Sequence, residues 1–434
     1  MAILFNDISY LNESFELIEH QDILVEDAYI KDLGAHGELE IPAQTQIIDG
    51  KNKLLSPGFY NTHAHAAMTL VRGLGEGLPL QRWLEEAIWP IENQMTEEHL
   101  YWANHLAIAE MLRFGIVSFS DMYFHTKARI KSVQESGIKI NICDGGTMTI
   151  VEKDYDTLPV KEVNDWLFKE VHAQGDGRIR AEFCIHGEYT TPQSMIERVV
   201  AEAQKYDAAI HLHLSETKAE VEGSIERHGV SPVVYLESLG VFDQQCTAAH
   251  CVWLDDKDIE ILGKHQVSCA LNPASNMKLG SGFAPVKKLL ASNVNLCLGT
   301  DGVASNNAHN MMRDLYLLAS IYKGAEHDST VVSPAQALGI ATRNGALAQG
   351  RKDCGIIKSG MRADLIMIDL DTPWMTPHSD IVSHLVYAAN GADIELTMVD
   401  GKILYQQGEY KTIDIEKVMY EVDKSYKELS QNID

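Results

Sequence analysis

The rhythm of apolar and polar positions changes twice along this chain. Up to about Leu55, short alternating runs (AILFNDISYL, DILVEDAYIKDLG, QIIDGKNKLLSPG) are separated by turn-forming residues and predict β-strands. The same style returns in RADLIMIDL and LTMVDGKILYQQGEY, where Asp400-Gly401 predicts a tight hairpin turn. Two β-rich ends around a different middle predict one small domain assembled from residues 1–55 and 355–410, with the charged, amphipathic stretch 411–434 forming a terminal helix. In the middle, 56–354, continuous apolar runs alternate with helical patterns: GFYNTHAH, IVSFSDM, IKINICDG, IRAEFCIH, AAIHLHLSE, CTAAHC, VSCALNP and NLCLGTD each precede a helical segment. Eight such units predict parallel strands covered on their outer face by helices. The class is α/β, a (β/α)8 barrel at the roughly 250-residue size usual for that architecture.

An open doubly wound sheet would satisfy the same count, so the placement of polar residues decides. His63 and His65 end the first strand and Asp121 the second. His186 ends the fourth, His213 and Glu216 the fifth, His250 the sixth and Asp301 the eighth. In a barrel these strand ends meet at one mouth, where enzymes of this fold keep their sites. As core packing they make little sense, because unpaired ionisable groups would be buried at a cost in free energy.

At 434 residues the chain suits one large domain plus a smaller partner. Its 36 Lys+Arg against 62 Asp+Glu leave a net charge of −26, which argues against binding nucleic acid or an anionic membrane. The rest of that acidity reads as solvated surface. The seven cysteines are scattered singly, odd in number and without a C-x-x-C pair, so neither a disulfide framework nor a cysteine zinc site is expected. There is no basic start followed by an apolar run and no span long enough to cross a bilayer, and a reducing cytoplasm is the expected location.

His63-Ala64-His65 puts two imidazoles on one face of a strand, close enough to share an ion. The same spacing recurs in His211-Leu212-His213, and Asp301 in LGTDG adds a carboxylate. Three neutral imidazoles and a carboxylate suit Zn2+ or Fe2+ with a position left open for water.

PGFYNTHAH, HLHLSE, AAHC, NPASNMKLGSG and LGTDGVASNN together resemble the amidohydrolase superfamily, within it the methylthioadenosine/S-adenosylhomocysteine deaminases and their chlorohydrolase relatives. The similarity runs from about Leu55 to Leu370, and SGMRADLIMIDL resembles the closing strand pair of that family's small β-sandwich. The resemblance implies metal ligands His63, His65, His213 and Asp301. The family's H-x-x-E spacing selects His213 with Glu216, which leaves His211 to fill the barrel. It also implies one divalent ion, Zn2+ with Fe2+ as the alternative, since RAEFCIHGE lacks the bridging lysine of two-metal relatives. Glu216, His250 and Asp301 become the catalytic residues, and Glu92, His186 and Glu216 the substrate contacts, with Glu92 on ribose hydroxyls and Glu216 on a ring nitrogen. Taken alone, Glu92 could be a solvated helix acid, and His186 and His250 ordinary barrel histidines. Trp83 and Trp89 could stack on a base or simply pack, and Asn272, Ser275 and Asn276 would shape the loop after the seventh strand.

The chain departs from the family pattern twice. Relatives that take S-adenosylhomocysteine carry an arginine after the third strand, whereas Ile138 to Val151, with CDGGTMT, contains none. Gly187-Glu188-Tyr189 stands where relatives have a small residue, proline and tyrosine, and Glu188 is expected to add negative charge near the mouth. The expected function is therefore hydrolytic deamination of adenosine, 5′-deoxyadenosine or methylthioadenosine in preference to S-adenosylhomocysteine. The alternatives are an aminohydrolase or chlorohydrolase acting on guanine, a pterin or a triazine, and a non-catalytic metal-binding protein, which would need the ligands but no proton shuttle. The expected partner is a small nucleoside, with no nucleic acid and no membrane, and a homo-oligomer is left open.

Overall fold

The structure is a computed structural model that describes residues 2–145 and 155–431. Its centre is a barrel of eight parallel strands: β1 (Phe59–Ala64), β2 (Ile116–Tyr123), β3 (Lys139–Asp144), β4 (broken into Ile179–Ala181 and Phe183–Ile185), β5 (Ile210–Leu214), β6 (Cys246–His250), β7 (Ser268–Leu271) and β8 (Asn295–Leu298). Every residue of β2 is buried, as expected of a strand with side chains on one face and helices on the other. Within β4 the ladder breaks at Glu182. Ile179–Ala181 pairs with β3 and Phe183–Ile185 with β5, while the Glu182 N–H donates to Ile142 O at 2.9 Å. β8 returns to β1 through Thr62 Oγ1 to Leu298 O and the Asp301 N–H to His63 O, each at 2.9 Å.

The longest excursion from the barrel joins β1 to the helix Glu97–Arg113. The sequence pattern predicts one helix through LQRWLEEAIWPIENQ. The structure instead has three short pieces, Leu80–Arg82, Trp83–Ile88 and Trp89–Glu92, the middle one a widened turn in which the Trp89 N–H reaches back to Leu84 O. Pro90 has no N–H to continue an α-helical ladder, so the chain re-registers just before it. Gly75 is required in this segment: its φ is +71°, and a Cβ there would lie 2.6 Å from the Trp83 ring.

Nine strands from both chain ends form one further sheet. The seam is the antiparallel pairing of Lys53–Pro57 with Leu365–Asp369, register Leu55 to Met367. Period-2 alternation decides what each side packs against. Leu55, Leu365 and Met367 join a core of the sheet's own, whereas Leu54, Ile366 and Ile368 join the core shared with the barrel. The Asp400-Gly401 hairpin forms, with both residues at positive φ. The terminal helix is shorter than its predicted span. It covers Ile415–Ser430, begins where Asp414 accepts from the Lys417 N–H at 3.1 Å, and packs on Glu97–Arg113. All seven cysteines are free and buried, and no described helix is long and apolar enough to cross a membrane.

One charged cluster ties the sheet to the barrel floor. Lys139, at the start of β3 and 1% exposed, pairs with Asp364 and, at 2.7 Å, with Asp400, and the Tyr60 hydroxyl donates to Asp364 at 2.6 Å. Removing one partner of a buried ion pair strands the other, at about 3–5 kcal/mol. Lys139→Ala should therefore lower the unfolding free energy in urea by about 3–5 kcal/mol, whereas a loss under about 1 kcal/mol, the scale of an exposed pair, would mean that the cluster does not tie the two parts together.

Candidate active site

Because β1 alternates, His63 and His65 both face the barrel mouth; His213 projects from β5, and Asp301 lies three residues beyond β8 at a φ of +59°. The ligand atoms of His63, His65 and His213 lie within 4.8 Å of one another, as do those of His63, His250 and Asp301. Hydrogen-bond partners settle two of the tautomers, since a carbonyl only accepts. His65 Nδ1 donates to Met122 O and His213 Nδ1 to His186 O, each at 2.6 Å. In the neutral rings both Nε2 atoms then carry lone pairs, yet they lie 3.2 Å apart, and His65 Nε2 is 3.3 Å from Asp301 Oδ1. His63 Nε2, buried and without a hydrogen-bond partner, is 3.4 Å from the same oxygen. Lone pairs facing one another around a carboxylate are what a cation satisfies, so the donor set fits one divalent ion.

Charge states agree. Burial, then His63, pushes His213 well below the usual imidazole range, and burial outweighs the nearby Asp301 carboxylate to lower His63 likewise. Burial acts to raise Asp301, but His63 and its neighbouring imidazoles hold it well below the usual carboxylate range. Neutral imidazoles and an ionised carboxylate are the forms that bind metal. Asp301 is held in place by Ser275 Oγ at 2.6 Å, Ser305 Oγ at 3.0 Å and the Gly302 N–H at 2.8 Å.

Beyond His213 the chain turns through Ser215, at a φ of +50°, and delivers Glu216 to the mouth. The Glu220 carboxylate accepts the N–H groups of Ser215 and Glu216 at 2.7 and 2.8 Å, bracing that turn. Glu216 is buried and its acidity is weakened chiefly by desolvation. Its carboxylate accepts from Ser281 Oγ at 3.2 Å and faces His250 Nε2 at 3.8 Å. His250 Nδ1 bonds Asn276 Oδ1 at 2.8 Å, so Nε2 is turned to the cavity. Burial lowers the His250 imidazole, yet Glu216 and Asp301 together leave it above its ordinary value.

These groups form one end of a cavity of about 360 Å³. Its wall carries Glu92, His186, Trp83 and Trp89, together with Tyr189 of the Gly187-Glu188-Tyr189 segment and with Tyr123, which sequence reasoning did not single out. The Tyr123 hydroxyl donates to Glu92 at 2.5 Å, and burial raises that carboxyl to about 7. Tyr123 was within reach of sequence reasoning, since it closes the strand that carries Asp121. His186 Nδ1 bonds Thr190 Oγ1 at 2.9 Å, and burial lowers its imidazole to about 4. Asn276 supports His250 and Ser275 supports Asp301, while Asn272 lies 3.4 Å from His250 Nδ1. Asp121 does not face the cavity. It pairs with fully buried Arg129 at 2.7 Å and accepts the Ala66 N–H at 2.8 Å.

The expectation for Glu188 is corrected. Its buried carboxylate is turned onto Arg227 at 2.7 Å and His228 at 2.8 Å, so its charge is neutralised away from the cavity. The Gly146–Val151 part of the arginine-free stretch lies outside the described residues.

Residues 54–404 match the model of the Amidohydrolase family. A 5-methylthioadenosine/S-adenosylhomocysteine deaminase of Dictyoglomus thermophilum is 43% identical, covering 95% of this chain and 98% of its own. A 5′-deoxyadenosine deaminase of Methanocaldococcus jannaschii is 39% identical over 94% of this chain and 96% of its own. Among solved structures, an adenosine deaminase of Xanthomonas campestris with bound zinc superposes with a TM-score of 0.92 at 29% identity, covering 99% of this chain and 98% of that one.

Protein purified without chelator should contain about one divalent ion per chain by elemental analysis, and His213→Ala close to none. About two ions per chain, or full occupancy in the His213 variant, would contradict this donor set.

Proposed function

The chain belongs to the amidohydrolase family, and from that premise we propose that it hydrolytically deaminates an adenosine-like nucleoside, giving the inosine analogue and ammonia. The reading rests on one juxtaposition: Glu216 and Glu92 line the same cavity, the first beside the convergent imidazoles and the second against Tyr123. We propose His63, His65, His213 and Asp301 as ligands of one zinc ion. Such an ion, when bound, acts as a Lewis acid and lowers the pKa of water to near neutrality.

Hydrolysis at the amino-bearing carbon needs a proton on the adjacent ring nitrogen and another on departing ammonia. Glu216, kept protonatable by burial, donates to that ring nitrogen and then carries protons to the leaving group. Asp301, ionised and firmly held, accepts a proton from the attacking water, and His250 Nε2 orients that water from the cavity side. Glu92, already bonded by the Tyr123 hydroxyl, accepts the ribose hydroxyls through charge-assisted hydrogen bonds. His186 flanks the bound nucleoside. The described wall carries no lysine or arginine but three acids, Glu92, Glu216 and Asp301. That composition favours an uncharged 5′ side, as in adenosine, 5′-deoxyadenosine or methylthioadenosine, over S-adenosylhomocysteine, whose carboxylate would lack a partner there.

Following the adenine-to-hypoxanthine absorbance change across those four compounds, with guanine and cytosine as controls, should give the highest kcat/KM for the uncharged three. Activity confined to guanine or cytosine would remove the ribose-binding role of Glu92 and the function proposed with it. Glu216→Gln should retain its metal while kcat falls by roughly 10²–10⁴, the usual contribution of general acid–base catalysis. Because the Glu92 carboxyl titrates at about 7, it is protonated at lower pH and a weaker acceptor there. KM for a riboside should therefore rise as pH falls through that value, and Glu92→Gln should flatten the dependence; a KM in the parent enzyme that ignores pH in this range would count against a diol contact at Glu92.

A further inference from the structure

Of the three histidines around the proposed cation, His63 alone has no backbone carbonyl on its Nδ1. That atom lies 3.0 Å from Nε2 of His211, which reaches across the barrel interior from β5 and is fully buried. A contact between two imidazole nitrogens can run either way. If His211 donates, the His63 proton must sit on Nε2 and the lone pair needed for metal is lost. If His63 donates, Nε2 is free.

The direction can be read from the far end of a buried chain of side chains. A guanidinium only donates, and Arg351 Nη2 lies 3.1 Å from Asn141 Oδ1. Asn141 is thereby oriented, and its Nδ2 donates to Glu182 Oε1 at 2.6 Å and to Gln349 O at 3.2 Å. The other oxygen of Glu182 faces His211 Nδ1 at 3.6 Å, and neither of these buried atoms has a hydrogen-bond partner. A carboxylate oxygen opposite a ring nitrogen favours the N–H over the lone pair. His211 is then protonated on Nδ1, bare on Nε2, and an acceptor towards His63. Glu182 occupies the break in β4, where its backbone is bonded to β3.

We propose that Glu182 and His211 are positioning residues, forming a relay beneath His63 that fixes its proton on Nδ1 and leaves Nε2 open to the cation. The relay rests on the metal reading above, and neither residue touches substrate.

Glu182→Gln gives a sharp test because it keeps shape and volume. Asn141 still donates to the side-chain oxygen, so the new amide N–H faces His211 Nδ1, reverses its tautomer and sends the His63 proton to Nε2. Zinc affinity of the chelator-stripped protein, measured by competition with a chromophoric chelator, should fall about 10–100-fold, the range found when a partner behind a metal ligand is lost. His211→Leu should fall similarly. His211→Gln, whose oxygen can accept from His63 and whose N–H groups can donate to Glu182, should stay near the parent value. Thermal unfolding of each metal-free variant checks that it folds. Equal affinity of Glu182→Gln and parent would overturn the relay. Should that variant not fold, equal affinities for His211→Gln and His211→Leu would overturn it instead. Parent protein that takes up no zinc would overturn the metal reading and the relay with it.

Discussion

Three imidazole rings and a carboxylate directed at one buried point crowd electron-rich atoms together unless a positive charge lies among them, and the fold of the barrel mouth fixes their places. The restraint comes largely from backbone. His65 is fixed by Met122 O on β2 and His213 by His186 O just beyond β4, so each ring is tethered to a strand other than its own. Asp301 is bonded through its N–H to His63 O, where β8 meets β1. The spacing of the proposed ligands is thus the spacing of the barrel strands, and the positive φ values at Ser215, His250 and Asp301 are local departures by which strand ends turn their side chains inward.

Environment divides labour among chemically similar acids. Asp301 is ringed by imidazoles and kept ionised, whereas Glu216 and Glu92 sit in the same cavity but are dominated by desolvation and hold protons more readily. A firm base and two protonatable acids within one pocket are what the proposed proton transfers require.

Much of this was legible in the sequence because an apolar strand that ends in histidine or aspartate buries a polar group at a cost, and that cost is met only where several such ends converge. The β/α alternation, the assembly of both chain ends into one sheet and the convergence of His63, His65, His213, His250 and Asp301 all follow from period and position. What escaped depends on the third dimension. Glu188 reads as a charge at the mouth, yet Arg227 and His228, some forty residues on, turn it away. His211 reads as filler, and only its contact across the barrel with His63 gives it a direction. The break of β4 at Glu182 and the widened turn before Pro90 leave hydrophobic periodicity nearly unchanged, so no pattern of apolar residues could announce them.

The excursion between β1 and Glu97–Arg113 contributes Leu80, Trp83, Trp89 and Glu92 to the cavity wall, yet supplies none of the groups that converge on the proposed ion. On the proposed reading, part of what would recognise the substrate is therefore written in a stretch of the gene apart from the groups around the ion. A single contiguous insertion, tolerant of glycine-rich turns and of irregular helical pieces, can drift, lengthen or be exchanged while the strand ends stay as they are. A chain divided in this way can try new substrates without first dismantling the apparatus that acts on them.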